Sequence, residues 1–486
     1  MSEFILFSDR KQTTRRFDAS RNDPSEKSDT TLALEDTMNL LKLPSTLAPS
    51  VSNIQSSTRR MLPYWISAAI TALFSVVYAR VFGWSEKIAF DWSEVHPLWA
   101  FFMVPSSMML STALAQWISP LAAGSGIPQL LAAVEISREP TPLMDRLLSL
   151  RMIAVKFVGS CLCIAGGGIT GREGPMLQIS AGIFNQVQKL WPKLAPREKV
   201  PNIQSMILAG GAAGLASAFN TPLGGIIFAI EELAKVHISQ IRTYVFHAVI
   251  IAGLLAQAIL GNYLYFGKIE LAAPKSQEII PLIFAAALIG VLGALFAKAV
   301  IALLDWRSQK RNWQKYSITC VLGLLMATLF YFFGRNAIGS GRDVIVNLLS
   351  ENQNPASFSL GWVRGFGNLF TYAGGVVGGI FAPALSTGAA FGSWLSSFGH
   401  EFHHQVWVLA GMVAFLTGLT RTPFTSLILV LEMTDTHDVI IVLMLAAIIA
   451  QSAAKLIDPL SFYEQMAHRI VHGRAPQKDN PHSHEG

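Results

Sequence analysis

Three short stretches of the sequence combine glycine, proline and a following apolar run in the same order: GSGIP (124–128), GREGP (171–175) and GGIFAP (378–383). Glycine lets the backbone turn sharply and lets another group approach closely. Proline suits the first turn of a helix, where its missing N–H is no loss. Each stretch therefore predicts a helix start with free N–H groups and the positive end of the dipole. Three such ends directed at one point would bind an anion, whereas ordinary glycine-hinged helix starts in a packed bundle are the simpler alternative.

Two side chains add chemistry to these helix starts. Ser125 is predicted at an N-cap position, where it offers a hydroxyl donor. Glu173 brings a carboxylate into an apolar setting, where an ionisable residue is costly and by default functional. Ionised Glu173 could occupy the anion site itself, and since a low-dielectric setting favours the neutral carboxyl, a protonated one would leave the site to an anion. The alternative is a salt bridge from Glu173 to Arg172. It is disfavoured because the side chains of adjacent residues at a helix start point apart.

The elements that must position these residues are predicted to be membrane helices. The 486-residue chain is 51% hydrophobic and only 14% charged, whereas soluble proteins carry about 25% charged residues. Six apolar segments reach roughly the 20 residues that span a bilayer, at 62–83, 98–118, 244–266, 279–304, 317–334 and 438–457. Shorter, interrupted segments predict broken helices around an enclosed cavity, as in transporters, at 152–165, 203–219, 223–233, 365–377, 380–398 and 407–434.

An internal repeat relates the two parts of the chain. Residues 208–233 align with 409–434 at nine identical positions of 26, including a Thr-Pro pair. Glu231 aligns with Glu432, which marks both as structural. Chance similarity among Ala, Gly and Leu is the alternative, but two helical halves of similar pattern are typical of secondary transporters. We therefore predict a first half at about 62–266 and a second at about 279–470.

The two ends of the chain are polar. Residues 1–61 form a predicted tail with nine Lys or Arg, including the Arg59–Arg60 pair beside the first span, so the positive-inside rule predicts a cytoplasmic N-terminus. Residues 471–486 form a second polar tail, also expected in the cytoplasm.

The net charge is +6, but the sequence has no basic runs interleaved with aromatics, which argues against a nucleic-acid partner. The three cysteines lie in apolar stretches and predict no disulfide framework.

The three motifs, in this order and spacing, resemble the CLC family of chloride channels and chloride/proton exchangers. The resemblance covers roughly residues 62–470. It implies an all-α polytopic membrane protein, in which two inverted-topology helical repeats with broken helices meet at a central anion site, and a homodimer with one pore per subunit. The implied selectivity-filter residues are Gly124, Ser125, Gly126, Ile127, Pro128, Gly171, Arg172, Glu173, Gly174, Pro175, Gly379, Ile380, Phe381, Ala382 and Pro383.

The resemblance also implies how chloride is bound. The hydroxyl of Ser125 and the backbone N–H groups of Ile380 and Phe381 match the positions that contact the central chloride. A further contact in the family is a tyrosine hydroxyl after the last span, for which Tyr463 in PLSFYEQMAHRI is the candidate. Serine in GSGIP goes with chloride preference in the family.

Proton handling is implied for two glutamates. Glu173 matches the gating glutamate, which also takes protons on the extracellular side, and Glu232 in FAIEELAKVH matches the intracellular-side proton glutamate of the exchangers. A pair of glutamates that merely ends a helix at the water interface is the alternative. The sequence departs from close relatives near this route, because Lys156 matches a lysine that pairs there with an acidic residue, whereas this chain has Leu131.

We therefore expect a secondary active antiporter that exchanges chloride for protons, with a passive voltage- or proton-gated chloride channel as the alternative. We expect no enzyme activity, cofactor or metal. Because the regulatory nucleotide-binding domains of many eukaryotic relatives are absent, a bacterial inner-membrane protein is expected. The rival from another class is an intramembrane zinc protease, since HEFHH (400–404) fits H-E-x-x-H, but that motif needs a continuous helix and here falls in a polar break.

Overall fold

The computed structural model describes residues 48–138, 141–233, 238–261, 264–269, 271, 276–350, 355–399 and 402–473. Residues Arg60–Gly486 form one compact unit. Residues 48–61 of the predicted N-terminal tail are helical, as are residues 471 and 472 of the predicted C-terminal tail. Residues 1–47 and 474–486 lie outside the described residues, so for them the tails stay predictions.

The described part of the chain is helical and contains no β-strand, as the sequence predicts. The first half comprises α1 (Ala48–Val95), α2 (Ala100–Ile118), α3 (Ile127–Glu135), α4 (Pro142–Leu147), α5 (Leu150–Ala165), α6 (Glu173–Leu194), α7 (Ile203–Phe219), α8 (Pro222–Phe228) and α9 (Ile238–Leu260). The second half comprises α10 (Ser276–Ser308), α11 (Asn312–Phe333), α12 (Arg342–Leu349), α13 (Phe358–Ala373), α14 (Phe381–Ser396), α15 (His404–Thr420), α16 (Pro423–Thr434), α17 (Ile440–Ile457) and α18 (Phe462–His472). A π-helical turn over Ala229–Leu233 extends α8.

Within the described part of the chain, seven helical segments are long and apolar enough to cross a bilayer, which confirms a polytopic membrane protein. They are Thr58–Val95, Pro97–Ile118, Pro142–Ala165, Thr243–Leu260, Ser276–Ser308, Asn312–Ala337 and Ile440–Ile457. Six contain the predicted long segments or most of them. The seventh, Pro142–Ala165, is longer than the short segment 152–165 that the sequence predicts. The additional residues belong to α4 and to the start of α5, whose N-cap residue is Ser149.

Burial separates a central set of helices from a peripheral one. All residues from Val406 to Thr420 of α15 are buried, and α7 and α14 are nearly as enclosed. Peripheral helices instead present large apolar side chains outward, and Phe284 and Ile441 are more than two-thirds exposed. An apolar outer surface suits contact with lipid, because lipid tails are as apolar as these side chains.

The internal repeat is visible in the backbone. Helices α7 and α15 both end at a left-handed residue, Asn220 with φ 59° and Arg421 with φ 62°. A Thr-Pro pair follows each, and proline opens α8 and α16. A left-handed residue ends a helix because the chain can no longer continue the α-helical path. The identical Thr-Pro pairs in the sequence therefore mark the same turn in both halves.

Glu231 and Glu432 each cap the start of a helix in the other half of the chain. The Glu231 carboxylate accepts hydrogen bonds from the first N–H groups of α16, at 3.1 Å from Phe424 and 2.7 Å from Thr425. The Glu432 carboxylate accepts those of Leu223 and Gly224 at the start of α8, at 2.9 and 2.7 Å. A carboxylate at a helix start satisfies unpaired N–H groups and complements the dipole. These contacts support the structural interpretation of both residues.

Candidate anion site

The three glycine-rich loops meet through their backbones. The N–H and C=O groups of Gly171 and Gly379 exchange two hydrogen bonds, both 2.8 Å long. Gly124 N–H donates to the Val376 carbonyl at 2.8 Å, and Gly378 N–H donates to the Gly124 carbonyl at 3.2 Å. The loop before α14 is thus paired with the loops before α3 and α6. These pairings bring the starts of three helices together, which sequence spacing alone could only suggest.

Glycine is required in these loops for two physical reasons. Gly126 has φ of 109°, a conformation that other residues rarely adopt. A side chain at Gly174 would overlap Ser125 Oγ, and a Cβ at Gly379 would lie only 2.9 Å from the Gly171 carbonyl oxygen. The loops therefore approach one another as closely as glycine permits.

Ser125 brings an unused donor to this meeting point. The structure corrects its predicted N-cap position by one residue, because Gly126 caps α3 with the help of the Gln129 side chain. Ser125 is completely buried, and its N–H donates to Tyr372 Oη at 3.0 Å. Sequence patterns do not predict this contact, because Tyr372 is a lone tyrosine in the apolar segment 365–377.

A second hydroxyl accompanies that of Ser125. Tyr463, in the first turn of α18, is only 1% exposed, and its hydroxyl lies near Ser125. Among the described residues, neither the Ser125 nor the Tyr463 hydroxyl has a hydrogen-bond partner. Buried polar groups in proteins are nearly always hydrogen-bonded, so such exceptions call for an explanation. Two neighbouring donors without an acceptor suit an anion as their missing partner.

Ile380 and Phe381 directly follow Gly379, whose backbone is paired with that of Gly171. Ile380 is the N-cap residue of α14 and Phe381 its first residue, and both are almost completely buried. The first N–H groups of a helix have no acceptor within the helix. The Phe381 ring packs on that of Phe219, with 5.6 Å between centroids. This contact fixes the start of α14 against the end of α7.

Lys156 places a buried amino group behind the loop that carries Ser125. Its Nζ donates to the carbonyls of Ala122 and Gly124, each at 2.8 Å. The amino group thus binds two backbone carbonyl oxygens. Leu131 instead lines a cavity on the far side of α3, next to Glu232. The departure noted in the sequence therefore leaves Lys156 bonded to the backbone of the anion-site loop.

Glu173 lies at the start of α6 and is only 1% exposed. Its Oε1 accepts a hydrogen bond from Tyr265 Oη at 3.0 Å. Its Oε2 has no hydrogen-bond partner among the described residues and lies against Gly171. The Arg172 charge also interacts with the carboxylate, while the Arg172 guanidinium donates to the Ala218 carbonyl at 3.4 Å. The carboxylate thus lies beside the paired backbones of Gly171 and Gly379, where the helix starts converge.

Glu232 lies in the π-helical turn after α8 and is 3% exposed. It borders a cavity of about 470 Å³ whose polar lining includes Glu135, Gln204, Glu464 and His468. The Tyr463 hydroxyl is close enough to interact with the charges of both Glu232 and Glu173. Glu232 therefore borders a cavity and also lies within electrostatic range of the Tyr463 hydroxyl.

The described part of HEFHH does not form a metal site. Helix α15 begins only at His404, so the motif is not on one continuous helix. His403 is bonded to the Glu278 carboxylate, whereas His404 contacts Ser396 Oγ at 2.8 Å. No group of three or more potential metal ligands occurs among the residues that the structure describes.

Comparisons with known proteins agree with this geometry. A family model described as "Voltage gated chloride channel" matches residues 107–455. An H(+)/Cl(−) exchange transporter ClcA of Vibrio parahaemolyticus is 29% identical over 414 residues, which is 82% of this chain and 86% of the relative. The ClcA exchange transporter of Yersinia pseudotuberculosis is 28% identical over 438 residues, 84% of this chain and 86% of the relative.

Solved structures share the fold. A slow cyanobacterial Cl−/H+ antiporter superposes with a TM-score of 0.74 at 24% identity, covering 86% of this chain and 99% of that one. A CLC-type fluoride/proton antiporter superposes with a TM-score of 0.70 at 20% identity, covering 84% and 97%.

Proposed function

The chain belongs to the voltage-gated chloride channel (CLC) family, and from this premise we propose that it is a secondary active transporter that exchanges chloride for protons across a membrane. One observation carries the proposal: two buried carboxylates, Glu173 and Glu232, lie within electrostatic range of Tyr463, whose hydroxyl and that of Ser125 lack an acceptor among the described residues. Relatives named as H(+)/Cl(−) exchange transporters support the same activity.

The anion-binding groups proposed are the hydroxyls of Ser125 and Tyr463 and the N–H groups of Ile380 and Phe381. All four are neutral donors, so together with the helix dipoles they would attract chloride without a strong ion pair. A transported ion must bind well enough to enter the site and weakly enough to leave it. Behind the loop, Lys156 Nζ is bonded to the Ala122 and Gly124 carbonyls and so helps to hold Ser125 in place.

Glu173 is proposed to couple the two ions. As a carboxylate it competes with chloride for the positive helix ends, because both are anions. Once protonated, it loses its attraction to the dipoles and yields the site to chloride. Each exchange of chloride for the Glu173 carboxylate is thereby linked to a proton.

Glu232 is proposed to bring protons from the other side. The cavity of about 470 Å³ beside it would admit water and thus a proton source. The Tyr463 hydroxyl interacts with the charges of Glu232 and Glu173, so the proton route would pass close to the chloride site. Leu131 in the wall of this cavity is the feature that favours the second candidate, a passive chloride channel, because close relatives have an acidic residue there.

Proteoliposomes test the proposal directly. With a chloride gradient across the bilayer and no pH gradient, we expect chloride efflux to drive protons inward, recorded as a rise of the external pH. Glu173→Gln has nearly the same shape but cannot carry a proton, so it should transport chloride without moving protons and without dependence on pH. Chloride flux with no proton movement in the unmodified protein would refute exchange and support the channel.

The surroundings of the transporter are also proposed. We infer a bacterial inner-membrane homodimer with one pore per subunit and both termini in the cytoplasm. Cross-linking in membranes should yield a dimer, and a monomer at all cross-linker concentrations would contradict it. Protease cleavage of the N-terminal tail only in inside-out vesicles would support the orientation.

A further inference from the structure

We propose that Tyr265 is a positioning residue of the gate, whose hydroxyl holds the ionised Glu173 carboxylate at the anion site until a proton arrives. This inference rests on the proposed function, because it assigns Tyr265 a part in the same proton-dependent step. The contact that carries it is the hydrogen bond of 3.0 Å from Tyr265 Oη to Glu173 Oε1. Both residues are buried, at 4% and 1% exposed.

The backbone around Tyr265 is fixed to the second half of the chain. Phe266 N–H donates to the Met433 carbonyl at 3.1 Å, and Ile269 N–H donates to that of Thr434 at 3.3 Å, both at the end of α16. Arg342 Nε, at the start of α12, donates to the Tyr265 carbonyl at 3.0 Å. Tyr265 is therefore anchored apart from α6, so a movement of Glu173 breaks their contact instead of carrying the tyrosine along.

The ring of Tyr265 is held as firmly as its backbone. The Phe219 and Phe266 rings meet it edge to face, at centroid distances of 5.2 and 4.9 Å. The guanidinium carbons of Arg172 and Arg342 lie 6.0 and 5.7 Å from its centroid. Cations near an aromatic ring are attracted by its electrons, and nearby positive charge makes the phenol a better donor. These contacts aim the hydroxyl at one carboxylate oxygen.

A hydrogen bond from this hydroxyl favours the closed state of the gate. Bonds to an ionised acceptor are roughly twice as strong as bonds between neutral groups, so Tyr265 stabilises the Glu173 carboxylate more than the neutral acid. Protonation then weakens two attractions at once, those to the helix dipoles and to Tyr265. The side chain is therefore released at a lower pH than it would be with the dipoles alone.

Other charged groups near Glu173 either favour or oppose its ionised form. Arg172 favours the carboxylate, and Glu86 of α1 opposes it by its own charge. The Glu86 Oε1 accepts the Ser340 N–H at 2.6 Å. Further titratable or charged groups around Glu173 and Tyr265, among the described residues, are Tyr78, Tyr463 and Arg342, together with Lys87 and Asp343 in the wall of the cavity that Tyr265 lines. Of these neighbours, Tyr265 is the one whose hydroxyl is bonded to the carboxylate.

Tyr265 also separates Glu173 from a possible source of protons. Together with Arg172, Glu86 and Arg342 it lines a cavity of about 420 Å³. Glu173 is not among the residues that line this cavity, but its carboxylate is bonded to the hydroxyl of Tyr265, which is. Opening of the Tyr265 contact would therefore both free the carboxyl group and expose it to the cavity.

The test is the pH dependence of chloride flux in Tyr265→Phe, which removes one oxygen atom and keeps the ring. The carboxylate loses stabilisation in this variant, so it takes up a proton at higher pH and the gate opens at higher pH. We expect the pH of half-maximal flux to rise by about one unit, as a lost bond to a charged group implies. Proton coupling should persist, because Glu173 and Glu232 remain.

Tyr78→Phe is the matched control. Tyr78 is equally buried and lies near Glu173, but its hydroxyl is bonded to Ser160 Oγ at 2.6 Å. Its pH profile should match that of the unmodified protein, and adding Tyr265→Phe to Glu173→Gln should change nothing further. Monodisperse elution of each variant checks folding.

An unchanged profile in Tyr265→Phe, an equal shift in Tyr78→Phe, or a shift that survives in the Glu173→Gln background would each overturn the inference. These outcomes are distinct from failure of the proposed function, which shows as absent proton coupling in the unmodified protein.

Discussion

Ser125 and Tyr463 show how single side chains can select an ion. Both hydroxyls are buried, close together and without an acceptor among the described residues. A hydroxyl donates one hydrogen bond and carries no charge, so each contributes to chloride binding without trapping the ion. The roles of the Ser125 hydroxyl and the Ser125 N–H can be tested separately, because the N–H is bonded to Tyr372 Oη and the hydroxyl is not.

Ser125→Ala should weaken chloride binding about tenfold, because a hydrogen bond to a charged group contributes about 1.5 kcal/mol or more. Titration calorimetry of the purified protein with chloride measures the change. Ser125→Pro additionally removes the N–H that binds Tyr372, so it should lower chloride preference relative to nitrate further than alanine does. Equal chloride affinity in Ser125→Ala and the unmodified protein would show that the hydroxyl does not face the ion.

At the scale of elements, the helix starts were predictable because their signals are local. Glycine beside proline fixes a turn and a first helical residue within a few positions, and α3, α6 and α14 begin where the motifs predict. Tyr265 was not predictable, because it falls in the apolar segment 244–266. Helix α9 in fact ends at Leu260, and the chain then folds back to Glu173, which is 92 positions away. No periodicity in a sequence signals such a contact.

The turn after α8 offers a paired experiment on two adjacent glutamates. Glu232→Gln should abolish proton coupling and leave chloride flux, because its proposed task is to carry protons only. Glu231→Gln should keep the coupling ratio but destabilise the fold by about 1 kcal/mol, because an amide replaces a carboxylate cap at the start of α16. Proton-to-chloride ratios and thermal denaturation midpoints distinguish the two. A normal ratio in Glu232→Gln would remove it from the mechanism.

On the scale of the whole molecule, the anion site joins the two halves of the chain. The loops before α3 and α6 belong to the first half, and the loop before α14, which is paired with both, belongs to the second. Cross-capping by Glu231 and Glu432 ties the halves together elsewhere. An ion bound among the three helix starts would therefore contact both halves at once, and its binding free energy would add to the stability of the entire fold.

This arrangement predicts that chloride stabilises the protein, and more strongly at low pH. A ligand that binds only the folded state raises stability by about 2.7 kcal/mol at one hundred times its dissociation constant. At neutral pH the ionised Glu173 competes for the site, whereas at low pH the neutral carboxyl leaves it, so the chloride-dependent rise of the denaturation midpoint should grow as pH falls. In Glu173→Gln the rise should be large at every pH, because no carboxylate competes. Midpoints measured in chloride and in gluconate, a larger anion, provide the comparison. A chloride effect equal at all pH values in both proteins would show that Glu173 and chloride do not share the site.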